Sequence, residues 1–181
     1  MSWSAEMVHS IELLFDADTD AAIRRVWQEL ADAGLPSQAG VKAPTNRPHV
    51  TLLAATRIEP AVDSLLAKFR RQLPLRCVIG APLLFGGSRF TLARLVVPSH
   101  DLLSLQERTH HACLPHLGRG PAAHCAPGQW TPHTTLCRRL DSTEVGRALT
   151  TVRALTRDRS GRITGLRRWD GDARVERMLI S

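Results

Sequence analysis

Long apolar runs are missing from this sequence. Its longest stretches without a formal charge, residues 77–88 and 120–137, are short or broken by Gly, Pro and His. A membrane-spanning helix needs about 20 mainly apolar residues, so no span is expected. A basic leader segment is missing too: Glu6 and Glu12 interrupt the apolar N-terminal run, which argues against a signal peptide. Cysteine is scarce and unpaired. Cys77, Cys113, Cys125 and Cys137 form no CxxC, and a chain of this size needs no disulfide framework, so a reducing, cytoplasmic setting is expected. Lysine occurs only at positions 42 and 68, and no Lys-Ser/Thr follows Gly86-Gly87-Ser88. That triplet is therefore a hairpin turn and not a phosphate loop. What remains is ordinary globular chemistry. The 181 residues are 43% hydrophobic and 23% charged, enough for one domain or two small lobes sharing a core.

Charge is unevenly placed. Residues 1–33 hold seven acids against Arg24 and Arg25, a balance of −5; residues 138–181 hold eleven arginines against six acids, a balance of +5. A basic C-terminal portion suits a polyanion such as nucleotide or RNA. Arginine replacing lysine nearly throughout fits codon usage equally well, and net charge leaves both readings open.

Hydrophobic periodicity places a strand over residues 7–15, a helix over 16–33, a strand over 49–55 and a helix over 60–72. A hairpin over 75–84 and 89–97 follows, then a helix from Ser99 to about His111. A strand at 133–137, a helix at 141–155, and strands at 162–168 and 175–180 complete the chain. The order repeats itself. Each half reads strand, helix, long loop, a Pro-His-x-Thr-Leu segment, helix, strand. Met7 precedes His49 by 42 residues, and Arg89 precedes His133 by 44, the fixed spacing of an internal duplication. The expected architecture is α+β: a duplicated bilobal fold with repeats at about 7–84 and 89–168. Two antiparallel sheets flanked by helices would enclose a central cleft.

The repeated segment carries the chemistry. In a strand successive side chains alternate faces. His49 and Thr51 thus share one face and Val50 and Leu52 the other; His133 and Thr135 stand opposite Thr134 and Leu136 in the same way. Two related halves would bring both His/Thr faces to one cleft. A neutral imidazole can take a proton from a nucleophile while a protonated one gives a proton to a leaving oxygen. Threonine hydroxyls can bind non-bridging phosphate oxygens. The set suits phosphodiester chemistry with no metal or other cofactor. Which histidine is acid and which is base stays open.

His49-Val50-Thr51-Leu52 and His133-Thr134-Thr135-Leu136 resemble the paired HxTx motifs of the 2H phosphoesterase superfamily. The likeness is greatest to its bacterial 2′-5′ RNA ligase / RNA cyclic phosphodiesterase family and extends over nearly the whole chain. Arg138 matches the HxTLxR form of the second motif, while the first continues Leu53-Ala54-Ala55 without an arginine. The resemblance implies metal-independent hydrolysis of 2′,3′-cyclic phosphates to 2′-phosphates, with His49 and His133 catalytic. Thr51 and Thr135 would bind the phosphate and Arg138 would clamp it. RNA ends or cyclic nucleotides are the implied partners, and a monomer with no metal is expected. Two rivals remain: a 2′-5′ RNA ligase using a 5′-hydroxyl in place of water, and a non-catalytic RNA-binding module.

Other residues draw less weight. His110, His111, Cys113, His116, His124 and Cys125 offer zinc-ligand chemistry without a recognised ligand spacing. His9 is expected to be structural. Trp130 suits base stacking and packing equally, and Arg138 has a geometric difficulty. Three residues past Thr135, an ideal strand turns it to the wrong face.

Overall fold

Asp16 closes the first strand and opens the first helix: its carboxylate accepts the Thr19 amide, the arrangement that satisfies an otherwise orphaned helix donor. Ser99 and Asp141 cap two later helices in the same way, Asp141 with Glu144 in a reciprocal capping box. The computed structural model describes residues 9–181; the expected strand start at Met7 and Val8 lies outside them. In chain order the elements are β1 (His9–Phe15), α1 (Ala17–Asp32), β2 (His49–Ala55), α2 (Val62–Ala67), β3 (Leu75–Gly86) and β4 (Phe90–Val96). They continue with α3 (His100–Cys113), β5 (His133–Leu140), α4 (Ser142–Thr151), β6 (Arg159–Asp170) and β7 (Val175–Ile180). The α2 helix is shorter than expected and passes into a 3₁₀ segment at Lys68–Gln72. Pro74 holds Leu73 extended and ends the helical run.

The α+β class and the antiparallel pairing stand, but the two expected sheets are joined. All strands form one sheet in the order β2-β1-β6-β3-β4-β5, with β7 also on β6. The junction is the β3–β6 pairing, from Leu75 opposite Ile163 to Ile79 opposite Arg159. The order is unchanged when β1, β2 and β3 are exchanged for β4, β5 and β6. Gly161 lies at the junction, where a Cβ would overlap Thr19 Oγ1; its absence lets the start of α1 settle on the sheet.

One core lies between the sheet and its helices. Ile11, Leu13, Val50 and Leu52 on the strands meet Ile23, Trp27 and Leu30 of α1, and Leu92, Leu136 and Leu140 join the same cluster. Burial of this apolar surface is the main stabilising term. Although β2 and β5 end the strand order on opposite sides, their Cα atoms come within 8 Å of each other. The sheet is therefore curled enough to bring its two edges, and both Pro-His-x-Thr-Leu segments, together. Among the described residues no helix is long and apolar enough to cross a membrane.

Candidate active site

Both histidines are held in the same manner. His49 Nδ1 lies 2.7 Å from the Arg47 carbonyl, and His133 Nδ1 lies 2.7 Å from the Thr131 carbonyl. A carbonyl can only accept, so each Nδ1 carries the hydrogen. Nε2 is left in each ring as the atom that can take or give a proton. Val50 and Leu52, like Thr134 and Leu136, are buried in the core, while His49, Thr51, His133 and Thr135 are half-exposed. That is the alternation expected of strands entering from a cleft.

The alternation then breaks at the same place in both copies. Ile11 faces Leu53 and Glu12 faces Thr51, so Leu52 is an extra residue against β1. Leu92 faces Cys137 and Ala93 faces Thr135, so Leu136 is an extra residue against β4. A bulge of one residue shifts the facing of everything after it. Hence Leu136 and Cys137 are both buried, and Arg138 returns to the His/Thr face, exposed. Its difficulty in an ideal strand is removed. The counterpart at the same offset from His49 is Ala54, which is buried. The Leu52 carbonyl freed by the first bulge accepts from Gln106 Nε2 at 3.3 Å.

Two tryptophans tie the copies together. Trp130, just before β5, donates to the Thr51 carbonyl at 2.9 Å; Trp27 of α1 donates to the Thr135 carbonyl at 3.0 Å. Each motif strand is thus held by an indole from the other half. Trp130 also packs half-buried against the core, the packing alternative of the two open for it.

The surroundings of the two rings differ sharply. Glu12 of β1, which faces Thr51 of β2, is 5% exposed and has Oε1 3.8 Å from His49 Nε2. Oε1 also accepts the Ser10 hydroxyl at 2.6 Å, and Oε2 receives Arg167 Nε at 2.8 Å and Nη2 at 2.7 Å. Arg167 continues to Glu176, which pairs with Arg47. Burial on its own would raise the Glu12 carboxyl; the charges of His49 and Arg167, with the Ser10 and Arg167 hydrogen bonds, outweigh it and hold it below its ordinary value.

Around His133 the neighbours are apolar or cationic. The position equivalent to Glu12 is Ala93, and that equivalent to Arg167 is Leu83. The Phe85 ring lies 4.6 Å from the His133 ring, centroid to centroid. Burial pushes the His133 pKa down, and the charges of His49, Arg138 and His124 push the same way, against the Thr131 hydrogen bond. The two histidines and Arg138 are therefore near enough for their charges to meet.

Sequence reasoning missed Glu12, Arg167, Phe85 and the bracing role of Trp27. Glu12 carried a signal: it is an acid inside an apolar strand. Arg167 is 155 residues away and carried none. Two members of the basic C-terminal portion, Arg167 and Arg168, are buried in ion pairs with Glu12 and Asp63, so not all of that charge faces outward. His9 pairs with Asp172 at 3.1 Å and Asp170 at 3.5 Å beside the β6–β7 turn, and the three lie close enough together to hold a metal ion. His110 hydrogen-bonds the Cys125 carbonyl and His116 faces Glu59. Among the described residues, the histidines and cysteines between 110 and 125 form no metal-sized cluster.

A model of the 2′-5′ RNA ligase superfamily matches residues 15–174. No curated protein sequence matches the chain. The fold is similar to that of TT0787 of Thermus thermophilus (TM-score 0.55, 17% identity, covering 96% of this chain and 95% of that one). It is also similar to E. coli LigT (0.53, 16%, covering 97% and 95%) and to Kluyveromyces marxianus Usb1 (0.53, 12%, covering 97% and 99%).

Proposed function

Since the chain belongs to the 2′-5′ RNA ligase superfamily, within the 2H phosphoesterases, we propose that it hydrolyses 2′,3′-cyclic phosphate ends of RNA or nucleotides to 2′-phosphates. His49 is the general acid and His133 the general base. The observation that carries this reading is the matched pair of Nδ1–carbonyl hydrogen bonds, which present two Nε2 atoms from two strands brought together by the curled sheet. His133, pushed toward its neutral form by burial and by neighbouring positive charges, suits the base. It takes a proton from water as the water attacks phosphorus. The P–O3′ bond breaks, and His49 Nε2 gives its proton to O3′. Thr51 and Thr135 donate to the non-bridging oxygens, and Arg138 neutralises charge as it builds.

The repeat supports this division of labour. We read residues 7–84 and 89–168 as two copies within one bilobal unit, and the exchangeable strand order and the equivalent bulges at Leu52 and Leu136 support that reading. Two of the fold relatives are described with nucleotides, LigT with NADP+ and Usb1 with uridine monophosphate. The test is a panel of 2′,3′-cyclic nucleotides and RNAs with cyclic-phosphate ends, assayed in EDTA, with products separated by phosphorus NMR. A 2′-phosphate product is expected. A dominant 3′-phosphate would reverse the acid and base labels, and no turnover across the panel would end the hydrolase reading.

A further inference from the structure

We propose that Glu12 is a positioning residue that makes His49 the proton donor, by serving as the buried counter-ion of its imidazolium. The inference rests on the reading of His49 and His133 as the acid/base pair, and supplies what the repeated motif alone leaves open: which ring does which task. Because Nδ1 of His49 is committed to the Arg47 carbonyl, the ring can meet a carboxylate only through Nε2. Glu12 Oε1 stands 3.8 Å from that atom. Opposite charges at such a range favour each other's charged form.

The carboxylate is well held. Ser10 fixes Oε1, Arg167 fixes Oε2 from two nitrogens, and only 5% of Glu12 is exposed. It is almost wholly buried beside the imidazole on the same face of the sheet, so its action on substrate runs through His49. The charged groups around the pair come from every neighbouring element: Arg167 from β6, Glu176 from β7, Arg47 from the segment before β2, and His133 from β5. Glu12 and Glu176 balance Arg167 and Arg47. A proton on His49 then adds its charge to that of Arg138 on the same face, which suits an anionic phosphodiester.

The second copy shows what the motif looks like without this device. Ala93 stands where Glu12 does, Leu83 stands where Arg167 does, and Phe85 lies against the ring. The motif residues are alike in the two copies, while the residues beneath them differ. The structure thus assigns the acid and base by the sheet underneath the motifs.

The experiment is the Glu12→Gln variant of the full chain, read two ways. Gln keeps the shape: its one carbonyl oxygen can accept from Arg167 while its NH2 donates to the Ser10 hydroxyl. With a 2′,3′-cyclic nucleotide as substrate, the high-pH limb of kcat/KM should move down by about one to two pH units, the usual effect of losing an opposite charge at this range. The low-pH limb should stay in place. At a pH one unit above the wild-type limb, activity should fall by about tenfold or more. NMR titration of the histidine ring protons, with His49 assigned through His49→Gln, should show the same downward move for His49 and a much smaller one for His133. An unmoved His49 titration overturns the proposal, and so does an unmoved high-pH limb. If Glu12→Gln does not fold, the double variant Glu12→Gln with Arg167→Gln removes both buried charges and should show the same shifts. Should the wild type turn over no cyclic phosphate, the hydrolase reading fails, and the NMR titration still decides whether Glu12 controls the His49 proton.

Discussion

The two halves of the sheet place their charge on opposite faces. In β1 the cleft face carries Ser10 and Glu12, joined by Arg167 of β6, while Ile11, Leu13 and Phe15 fill the core. In β4 the cleft face carries Ala93, flanked by Leu83 and Phe85 of β3, and the charge sits on the other side. Arg94, at the position of Leu13, is buried and donates to the carbonyls of Ile79, Gly80, Ala154 and Arg157. The backbone is alike in both halves, down to the bulge and the histidine lock, and an indole braces each motif strand, one from α1 and one from the segment before β5. Equivalent backbones hold the two histidines in the same way, and the side chains beside them differ.

The largest expected effect tests the likeness. His49→Ala and His133→Ala should each lower kcat/KM by about 10²–10⁴-fold on a cyclic phosphate, with EDTA harmless to the wild type. A large loss from one variant beside a negligible loss from the other would break the pairing. The next effect tests a difference, since Arg138 has only Ala54 as its counterpart. Arg138→Lys should cost roughly tenfold in turnover, because an ammonium cannot copy a bidentate guanidinium, while urea unfolding stays where it was. A parallel loss of stability would assign Arg138 to the fold.

A third test concerns stability. Glu12 has a folded-state pKa below its unfolded value. Its contribution is therefore present above the unfolded pKa and is lost as the pH falls through the folded one. Denaturant titrations should show Glu12→Gln less stable than wild type at neutral pH, on the order of 1–3 kcal/mol for a broken buried pair. The gap should narrow in acid; a gap that does not change with pH would leave the carboxylate's charge without a role in stability. The smallest effect is at the braces. Trp27→Phe and Trp130→Phe each delete one hydrogen bond, worth about 1 kcal/mol, and should destabilise to a similar extent if the two braces are equivalent.

Much of this was legible in the sequence because it is periodic. Alternation around His49 and His133 marks the strands and their cleft faces, and the match of spacings marks the two copies. The bulges were not legible. Leu52 and Leu136 look like ordinary continuations of their strands, and only the register against β1 and β4 shows them to be extra residues. That is why an ideal strand puts Arg138 on the wrong face. Pairings across long separations were equally hidden: no local pattern says that Arg167 will lie beside Glu12. The joining of two expected sheets into one has the same cause, because Leu75 and Ile163 meet only through the topology. The histidines from 110 to 124 illustrate the reverse case, in which residues of one suggestive type go to separate partners: His110 to the Cys125 carbonyl, His116 to Glu59, and His124 to the neighbourhood of His133.

The β3–β6 junction has a consequence for how the chain reaches its fold. Neither end of the sheet is built from a continuous half of the sequence. The β2–β1 end takes its third strand from residues 159–170, and the β5–β4 end takes its own from residues 75–86. A ribosome delivering this chain from its N-terminus has made all of β1 and β2 long before β6 exists, so β1 waits with an unpaired edge. Such long-range pairings slow folding and leave strand edges open to wrong partners. Cutting the chain between its two repeats would therefore yield two fragments that each lack a strand, and that complement one another only by exchanging β3 and β6.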